Sequence, residues 1–232
     1  MVSIKIWSDL MCPFCYIGKT HLNTALEQMG IKDQVEIEWK SFQLDPSVPS
    51  ESVLMKDSDY FTVKKGFPAD QVAQMHANVA QMGKAAGVEM NFDRTYLVNS
   101  LKAHCVLKLA KERGLANEAQ ELLFYAYFTE GKDLGKVEEL AEVVSELGIT
   151  AAEIEAGLQD QQIMQQIEAD IQEAQKIGVR GVPFFVFEDK YAVSGAQPVS
   201  SFKEVFEHIQ KENALSFNST EQGESCSIDG CD

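Results

Sequence analysis

Two cysteines near the start of the chain have the spacing of a redox pair. Cys12 and Cys15 are separated by Pro13 and Phe14, and a stretch with helical periodicity follows them. At a helix N-terminus, unpaired backbone N–H groups and the positive end of the dipole favour thiolate over thiol. A proline at the first helical position loses no hydrogen bond. We therefore predict that Cys12 is the nucleophile and Cys15 the resolving thiol. Half of a zinc site and a coincidental pair of core cysteines are the alternatives.

A proline far downstream is the second candidate element of a site. Pro183 ends the glycine-containing segment 178–183 and precedes the apolar run 184–187. Proline is tolerated at the first residue of a strand, and a cis bond is one way to build a tight turn there. Trans prolines are much more common in loops. We predict a cis bond between Val182 and Pro183.

Two further cysteines lie in the polar C-terminal segment, and one stands alone. Cys226 and Cys231 form a C-x4-C pair, for which three interpretations stay open: a second redox pair, two zinc ligands that complete a four-thiolate site, and an incidental pair. Cys105 lies on an apolar helical stripe, so we expect a buried small hydrophobe.

Composition limits the classes of partner and compartment. The formal net charge of −16 argues against nucleic acid and acidic membrane surfaces as partners, because the summed field repels both. No apolar run is long enough to span a bilayer, and the first residues lack a basic region followed by a hydrophobic segment. We expect a cytoplasmic protein, in which a C-x-x-C pair is catalytic or metal-binding rather than structural.

The elements that must position the cysteines can be predicted from periodicity. Residues 2–8 alternate as a strand, residues 16–29 form a helix that ends at Gly30, and residues 35–39 alternate again. One helix between two strands implies parallel pairing with a right-handed crossover.

The middle of the chain has helical periodicity and little that resembles a strand. In the stretch after Asp70, we expect Val72, Met75, Val79 and Met82 to face the core. Strands return at residues 184–187 and 191–194, joined as a hairpin, before a final helix.

We therefore predict an α/β fold with a mixed sheet and a large all-helical insertion. Its parts are a β-α-β unit (1–44), the insertion (45–175), a β-β-α unit (176–214) and a flexible tail (215–232).

Two polar residues are auxiliary candidates. Asp9, three residues before Cys12, either caps the helix or accepts the proton of a buried Cys15, and the cap is the preferred interpretation. His104 either tunes Cys12 and contacts substrate or is a surface or hydrogen-bonded core histidine, which we prefer. We expect His21, His76 and His208 to lie on solvated helix faces. No metal-ligand spacing is evident, so we predict no metal site.

Several motifs carry a family resemblance. They are Ile-Trp-Ser-Asp at 6–9, Cys-Pro-Phe-Cys-Tyr-Ile-Gly at 12–18, Asn-Ser at 99–100, Ala-His at 103–104, Ala-Tyr-Phe-Thr-Glu-Gly at 126–131, Gly-Val-Arg-Gly-Val-Pro at 178–183 and Ser-Gly-Ala-Gln-Pro at 194–198. In this order they resemble the FrnE-like branch of the DsbA family, in the thioredoxin superfamily. The usual pattern of that branch is similar to Cys-Pro-Trp-Cys, and the periplasmic oxidants carry histidine at the third position. Phe14 stands at that position here, so the sequence departs from both.

The resemblance implies a thioredoxin-like fold with a helical insertion and a cytoplasmic thiol-disulfide oxidoreductase or isomerase. Protein or small-molecule thiols and disulfides would be its partners, and it would need no cofactor, with glutathione as a candidate co-substrate. The cis-proline loop would pack beside the redox pair, with Val182 and Pro183 contacting substrate. A similar C-x4-C tail in some FrnE-like proteins favours a second redox pair at Cys226 and Cys231.

Two other functions remain as alternatives. Related proteins resemble glutathione-dependent isomerases of the 2-hydroxychromene-2-carboxylate type, which carry a serine where Cys12 stands here. A non-enzymatic zinc or holdase module is the second alternative.

Overall fold

The sheet combines two units that lie far apart in the sequence. The computed structural model describes residues 1–51 and 55–221. Strands β1 (Val2–Ser8) and β2 (Val35–Ser41) are parallel, and β3 (Phe184–Phe187) and β4 (Tyr191–Ser194) form an antiparallel hairpin. The strand order is β2-β1-β3-β4, with β1 and β3 antiparallel. The mixed sheet, the parallel β-α-β opening and the hairpin are confirmed.

The alternation of side chains along β1 decides what each face of the sheet buries. Ile4 and Ile6 pack with the apolar faces of α1 (Pro13–Met29) and α9 (Val199–Glu221). Trp7, on the opposite face, packs with Ala174 of the helical region. Successive residues of a strand point to opposite faces, so the sheet is covered on both sides.

The end of α1 follows from one glycine. Gly30 has a φ of 67°, and its N–H donates to the carbonyl of Glu27 at 3.1 Å. Glycine adopts this left-handed conformation without a steric penalty from Cβ, and it ends the helix there.

Between β2 and β3 the described residues are mostly helical. The helices are α2 (Asp57–Asp59), α3 (Ala69–Ala86), α4 (Leu101–Glu112), α5 (Ala116–Tyr125), α6 (Val137–Val143), α7 (Ala151–Gln159) and α8 (Gln161–Lys176). Widened π-type turns continue α2 and α5, at Tyr60–Lys64 and Ala126–Glu130. None of the helices within the described ranges combines the length and apolarity needed to cross a bilayer.

Two expectations about helices are wrong in detail. Met75 and Met82 are 38% and 46% exposed, because α3 buries a narrower face that includes Val72 and Val79. Helix α9 continues to Glu221, past the expected start of the tail at residue 215. Cys105 is fully buried among Ile163 and Ile167, as expected, and burial raises its pKa to about 11.

A buried carboxylate fastens α8 to the sheet. Asp170 accepts a 2.9 Å hydrogen bond from the Ser41 N–H and ion-pairs with Lys108 and, at 3.2 Å, with Lys40. The indole Nε1 of Trp7 donates to the Asp170 carbonyl at 2.9 Å. Trp7 directly precedes the segment that leads to Cys12, so this network positions the start of the candidate site.

Candidate active site

The two cysteines lie at the start of α1 as predicted. Cys12 has extended backbone angles and is the residue before the first helical turn, and Pro13 is the first helical residue. The Cys15 N–H donates to the Cys12 carbonyl at 3.0 Å. Both cysteines are free thiols. The two sulfurs therefore lie on the first turn, where thiol and disulfide forms can interconvert without unwinding the helix.

The downstream proline loop meets the redox pair. The Val182–Pro183 bond is cis, and the Cys12 Sγ donates to the Val182 carbonyl at 3.4 Å. The Pro183 carbonyl accepts from the Gly195 N–H at 2.8 Å, which holds the loop against the end of β4. The Val182 N–H has no acceptor within the described part of the chain. The loop thus brings a free backbone donor next to the reactive sulfur.

Cys15 is suited to act second. It is only 1% exposed. Burial, reinforced by the hydrogen bond and charge of Cys12, raises the pKa of the Cys15 thiol well above its ordinary value. The Ser8 side chain and the Asp9 backbone oppose this rise. Sequence reasoning gave Ser8 no role of its own, although this last residue of β1 belongs to the motif at 6–9.

Asp9 does not cap α1, and the preferred interpretation of this residue is wrong. Its buried carboxylate accepts from the N–H of Met11 at 3.1 Å and from the N–H of Leu44 at 2.7 Å. The residue before the helix is Cys12, which has no side-chain cap. These two N–H donors belong to different segments of the chain. Asp9 therefore links the turn before α1 to the segment after β2.

His104 lies in the core of α4. Its Nε2 donates to the Phe42 carbonyl at 2.9 Å, and burial lowers the pKa of the imidazole. His104 does not line the cavity next to Cys12 that is described below. The placement matches the preferred interpretation, a hydrogen-bonded core histidine.

A cavity of about 450 Å³ opens beside Cys12, and sequence reasoning missed it. We refer to it as the Cys12 cavity. Its apolar wall includes the aromatic rings of Phe14, Tyr60, Phe61, Phe92, Tyr127 and Phe128. Two features of the sequence could have indicated this cavity: the adjacent aromatic residues at 60–61 and the phenylalanine in the redox motif. A second cavity, of about 550 Å³, lies beyond His76 and Phe92 and has no cysteine in its lining.

One ion pair and one histidine–carboxylate contact line the Cys12 cavity. The Lys65 ammonium lies 3.1 Å from Asp45 Oδ2, and His76 Nε2 lies 2.9 Å from Asp57 Oδ2. The imidazole of His76 stacks on Phe92 with ring centroids 4.5 Å apart. The expectation of a solvated His76 is wrong, because the ring is held between a carboxylate and an aromatic wall. His208 is exposed, and His21 contacts the carbonyl of Gln197.

The zinc alternative concerns Cys12 and Cys15 together with the two cysteines of the C-terminal tail. Among residues 1–51 and 55–221, no group of three or more His, Cys, Asp or Glu side chains is placed to hold a metal ion. Cys226 and Cys231 lie outside the described residues.

One family model and one curated relative match most of the chain. The model of the DSBA-like thioredoxin domain matches residues 3–207. An uncharacterized protein of Bacillus subtilis, YwbO, is 26% identical over 218 residues, which is 90% of this chain and 98% of that protein.

Two solved structures are similar in fold. A probable DsbA oxidoreductase from Streptomyces coelicolor has a TM-score of 0.80 and 29% identity, over 100% of this chain and 94% of that one. The cytosolic disulfide reductase DsbM from Pseudomonas aeruginosa has a TM-score of 0.64 and 14% identity, over 90% and 98%. At so low a sequence identity, the similarity to DsbM shows a shared fold alone.

Proposed function

Since the chain belongs to the DSBA-like thioredoxin domain family, we propose that it is a thiol-disulfide oxidoreductase that exchanges disulfides through Cys12 and Cys15. The observation that carries the proposal is the contact of 3.4 Å between the Cys12 sulfur and the carbonyl of Val182, at the start of a helix that also holds a second free thiol. The thioredoxin-like fold brings these distant segments together.

Each group has a role in the proposed exchange. The Cys12 thiolate attacks one sulfur of a substrate disulfide and forms a mixed disulfide. The substrate backbone pairs with the free N–H of Val182, next to Pro183. Cys15 then attacks the Cys12 sulfur and releases the second substrate thiol. Because burial raises the pKa of Cys15, this thiol stays protonated while Cys12 acts.

The isomerase alternative is less well supported. An isomerase that activates glutathione needs no second thiol, whereas Cys15 is retained here and lies in the first turn with its backbone bonded to Cys12. The pair is what two-electron thiol exchange requires.

Several finer features also belong to this proposal. We place the chain in the FrnE-like branch on its motifs, and we propose a cytoplasmic location with protein or small-molecule thiols and disulfides, glutathione included, as partners. Cys226 and Cys231 would form a second redox pair that passes electrons to or from Cys12 and Cys15.

Trapping experiments test the proposal directly. Cys15→Ser should accumulate mixed disulfides through Cys12, because the resolving thiol is missing, and Cys12→Ser should lose exchange. Cys105→Ala is a control, since this buried cysteine lies away from the site. Mass spectrometry of the trapped species identifies the bonded sulfur. Trapping through Cys15, or no trapping with any disulfide, would refute the proposed roles.

A further inference from the structure

We propose that the Cys12 cavity binds one arm of a low-molecular-weight disulfide whose substituent is apolar or aromatic and carries no negative charge. This inference rests on the proposed function and assigns its substrate class. Three properties of the cavity support it: the route to the sulfur, the apolar wall and the charges that are already paired.

The first property is access. Cys12 is only 3% exposed, although thiol exchange requires that the substrate reach its sulfur. It lines the Cys12 cavity, whose volume of about 450 Å³ is in the range of sites that hold a single small molecule. A small disulfide can enter this space and reach the sulfur. A disulfide within a folded protein is flanked by chain on both sides and reaches so deeply placed a sulfur less readily.

The second property is the apolar surface at the cavity. Phe14, Leu44 and Met75 line it and are 38%, 50% and 38% exposed. Further in, the wall includes Tyr127 and Phe128, which are almost fully buried. An apolar or aromatic substituent would cover the three exposed side chains and remove their surface from water.

The third property is charge. Lys65, a lysine that lines the cavity, already has a carboxylate partner in Asp45, and the ring of His76 lies against the carboxylate of Asp57. Among the described lining residues, an anionic substituent would find no unpaired lysine or arginine to offset its lost hydration, and the carboxylates of Asp45 and Asp57 lie beside it. The net charge of −16 on the whole chain also repels an anionic substituent. Glutathione disulfide, whose four carboxylates outnumber its two ammonium groups, should therefore react more slowly than a neutral small disulfide.

The chemistry balances with the protein as the only reductant. The Cys12 thiolate attacks R–S–S–R, so the S–S bond of the substrate breaks and Cys12–S–S–R forms, with its R group in the cavity. The departing RS⁻ takes a proton from water. Cys15 then gives up its proton to water, and its thiolate attacks the Cys12 sulfur, which breaks the mixed disulfide, closes the Cys12–Cys15 disulfide and releases the second RS⁻, which is protonated by water in turn. Two electrons pass from the cysteine pair to the substrate.

Single-turnover kinetics with the full-length, pre-reduced protein can test the proposal. Small aliphatic disulfides that differ in charge are compared: neutral 2-hydroxyethyl disulfide, cationic cystamine and anionic dithiodiglycolate, with glutathione disulfide and neutral, aromatic 4,4′-dithiodipyridine alongside. Each rate is divided by the rate of the same disulfide with free 2-mercaptoethanol, which removes intrinsic reactivity. We expect the normalised rates of the neutral and cationic probes to exceed those of the anionic probes about tenfold or more.

A matched pair of variants on α3 separates the cavity from the overall charge. Met75→Lys places a cation at the cavity, whereas Met82→Lys adds the same charge to an exposed position of the same helix that does not line it. Met75→Lys should raise the ratio of the dithiodiglycolate rate to the 2-hydroxyethyl disulfide rate about tenfold, and Met82→Lys should change it by less than about twofold. Asp45→Asn, which frees Lys65, should raise the same ratio.

Three results would overturn the inference. They are equal normalised rates for all charges, equal shifts from the two lysine variants, and a normalised rate with a scrambled protein disulfide that exceeds every small probe. In each case exchange still occurs and the proposed function stands. If no probe reacts and nothing is trapped in Cys15→Ser, it is the proposed function that fails.

Discussion

The sulfur of Cys12 lies 3.4 Å from the carbonyl oxygen of Val182, a residue 170 positions away in the chain. The contact joins the first turn of α1 to the loop that enters β3. It depends on how closely α1 packs against that loop, since neither segment alone can set the distance. Changes at this packing contact should therefore affect thiol exchange more than their effect on stability would suggest.

Gly18→Ala tests that packing. A Cβ at Gly18 would lie 2.9 Å from Cγ of Pro183 and 3.2 Å from Cζ of Phe185, so the loop must move. We expect a net stability loss of up to about 2 kcal/mol, because overpacking costs about 1–3 kcal/mol and alanine gains about 1 kcal/mol in helix propensity. The exchange rate should fall about tenfold or more, since small misplacements of reacting groups are costly.

Gly157→Ala is the matched control for this substitution. Its Cβ would lie 2.9 Å from the Cys105 sulfur, also within a helix but in the helical core. Urea unfolding and single-turnover exchange are measured for both variants. If both lose stability and exchange to the same extent, the packing of Gly18 against Pro183 has no specific role.

The raised pKa of Cys15 predicts how stability depends on pH. The thiol ionises at a higher pH in the native state than in the unfolded state, so the unfolded chain loses its proton first. The resulting stabilisation is complete below the unfolded pKa, about 8.5, and is lost as pH rises through the native value. The free energy of unfolding of the reduced protein should therefore fall above about pH 8.5.

Cys15→Ala isolates this contribution. Urea unfolding of both proteins under a reductant, between pH 7 and 10, gives the difference at each pH. Cys105 has a raised pKa as well, but it is present in both proteins and cancels in the difference. The advantage of the wild type over the variant should shrink with rising pH, and a constant difference would contradict the prediction.

Asp170→Asn should weaken the attachment of α8 to the sheet. The substitution leaves the ammonium groups of Lys40 and Lys108 without the carboxylate they share. Breaking a buried ion pair by removing one partner costs about 3–5 kcal/mol, which urea unfolding would detect. Glu168→Gln, at an exposed position of the same helix, is the control and should change stability by less than about 0.5 kcal/mol.

A double variant checks the physical reason. Asp170→Leu combined with Lys108→Met removes two buried charges together, so it should cost less than Asp170→Asn alone. A larger loss in the double variant would show that shape and hydrogen bonds, rather than an uncompensated charge, dominate this network.

The C-terminal pair is predicted to act as an internal shuttle. Deleting residues 224–232 should slow turnover with bulky or poor reductants and leave the first step at Cys12 intact, because a short tether gives effective concentrations of about millimolar. Replacing both Cys226 and Cys231 by serine should have the same effect while keeping the tail's length. Unchanged steady-state rates, together with no crosslink between Cys12 and either tail cysteine in Cys15→Ser, would exclude the shuttle.

Local features of the sequence were enough to predict most of the fold. The strand at residues 2–8, the helix that ends at Gly30 and the hairpin at 184–194 are confirmed, because alternation, helical periodicity and glycine caps act between neighbouring residues. The place of Cys12 at the start of α1 is local in the same sense. The cis bond before Pro183 was predicted on weaker local grounds and is present.

Only the tertiary structure decided how the site is enclosed. Asp9 had the local signature of a cap but bonds to the N–H of Leu44, and His76 had that of a solvated residue but lies between Asp57 and Phe92. Met75, expected in the core, lines the Cys12 cavity. Burial and partners are set by segments that lie tens of residues apart in the chain, and neither periodicity nor spacing within one element carries that information.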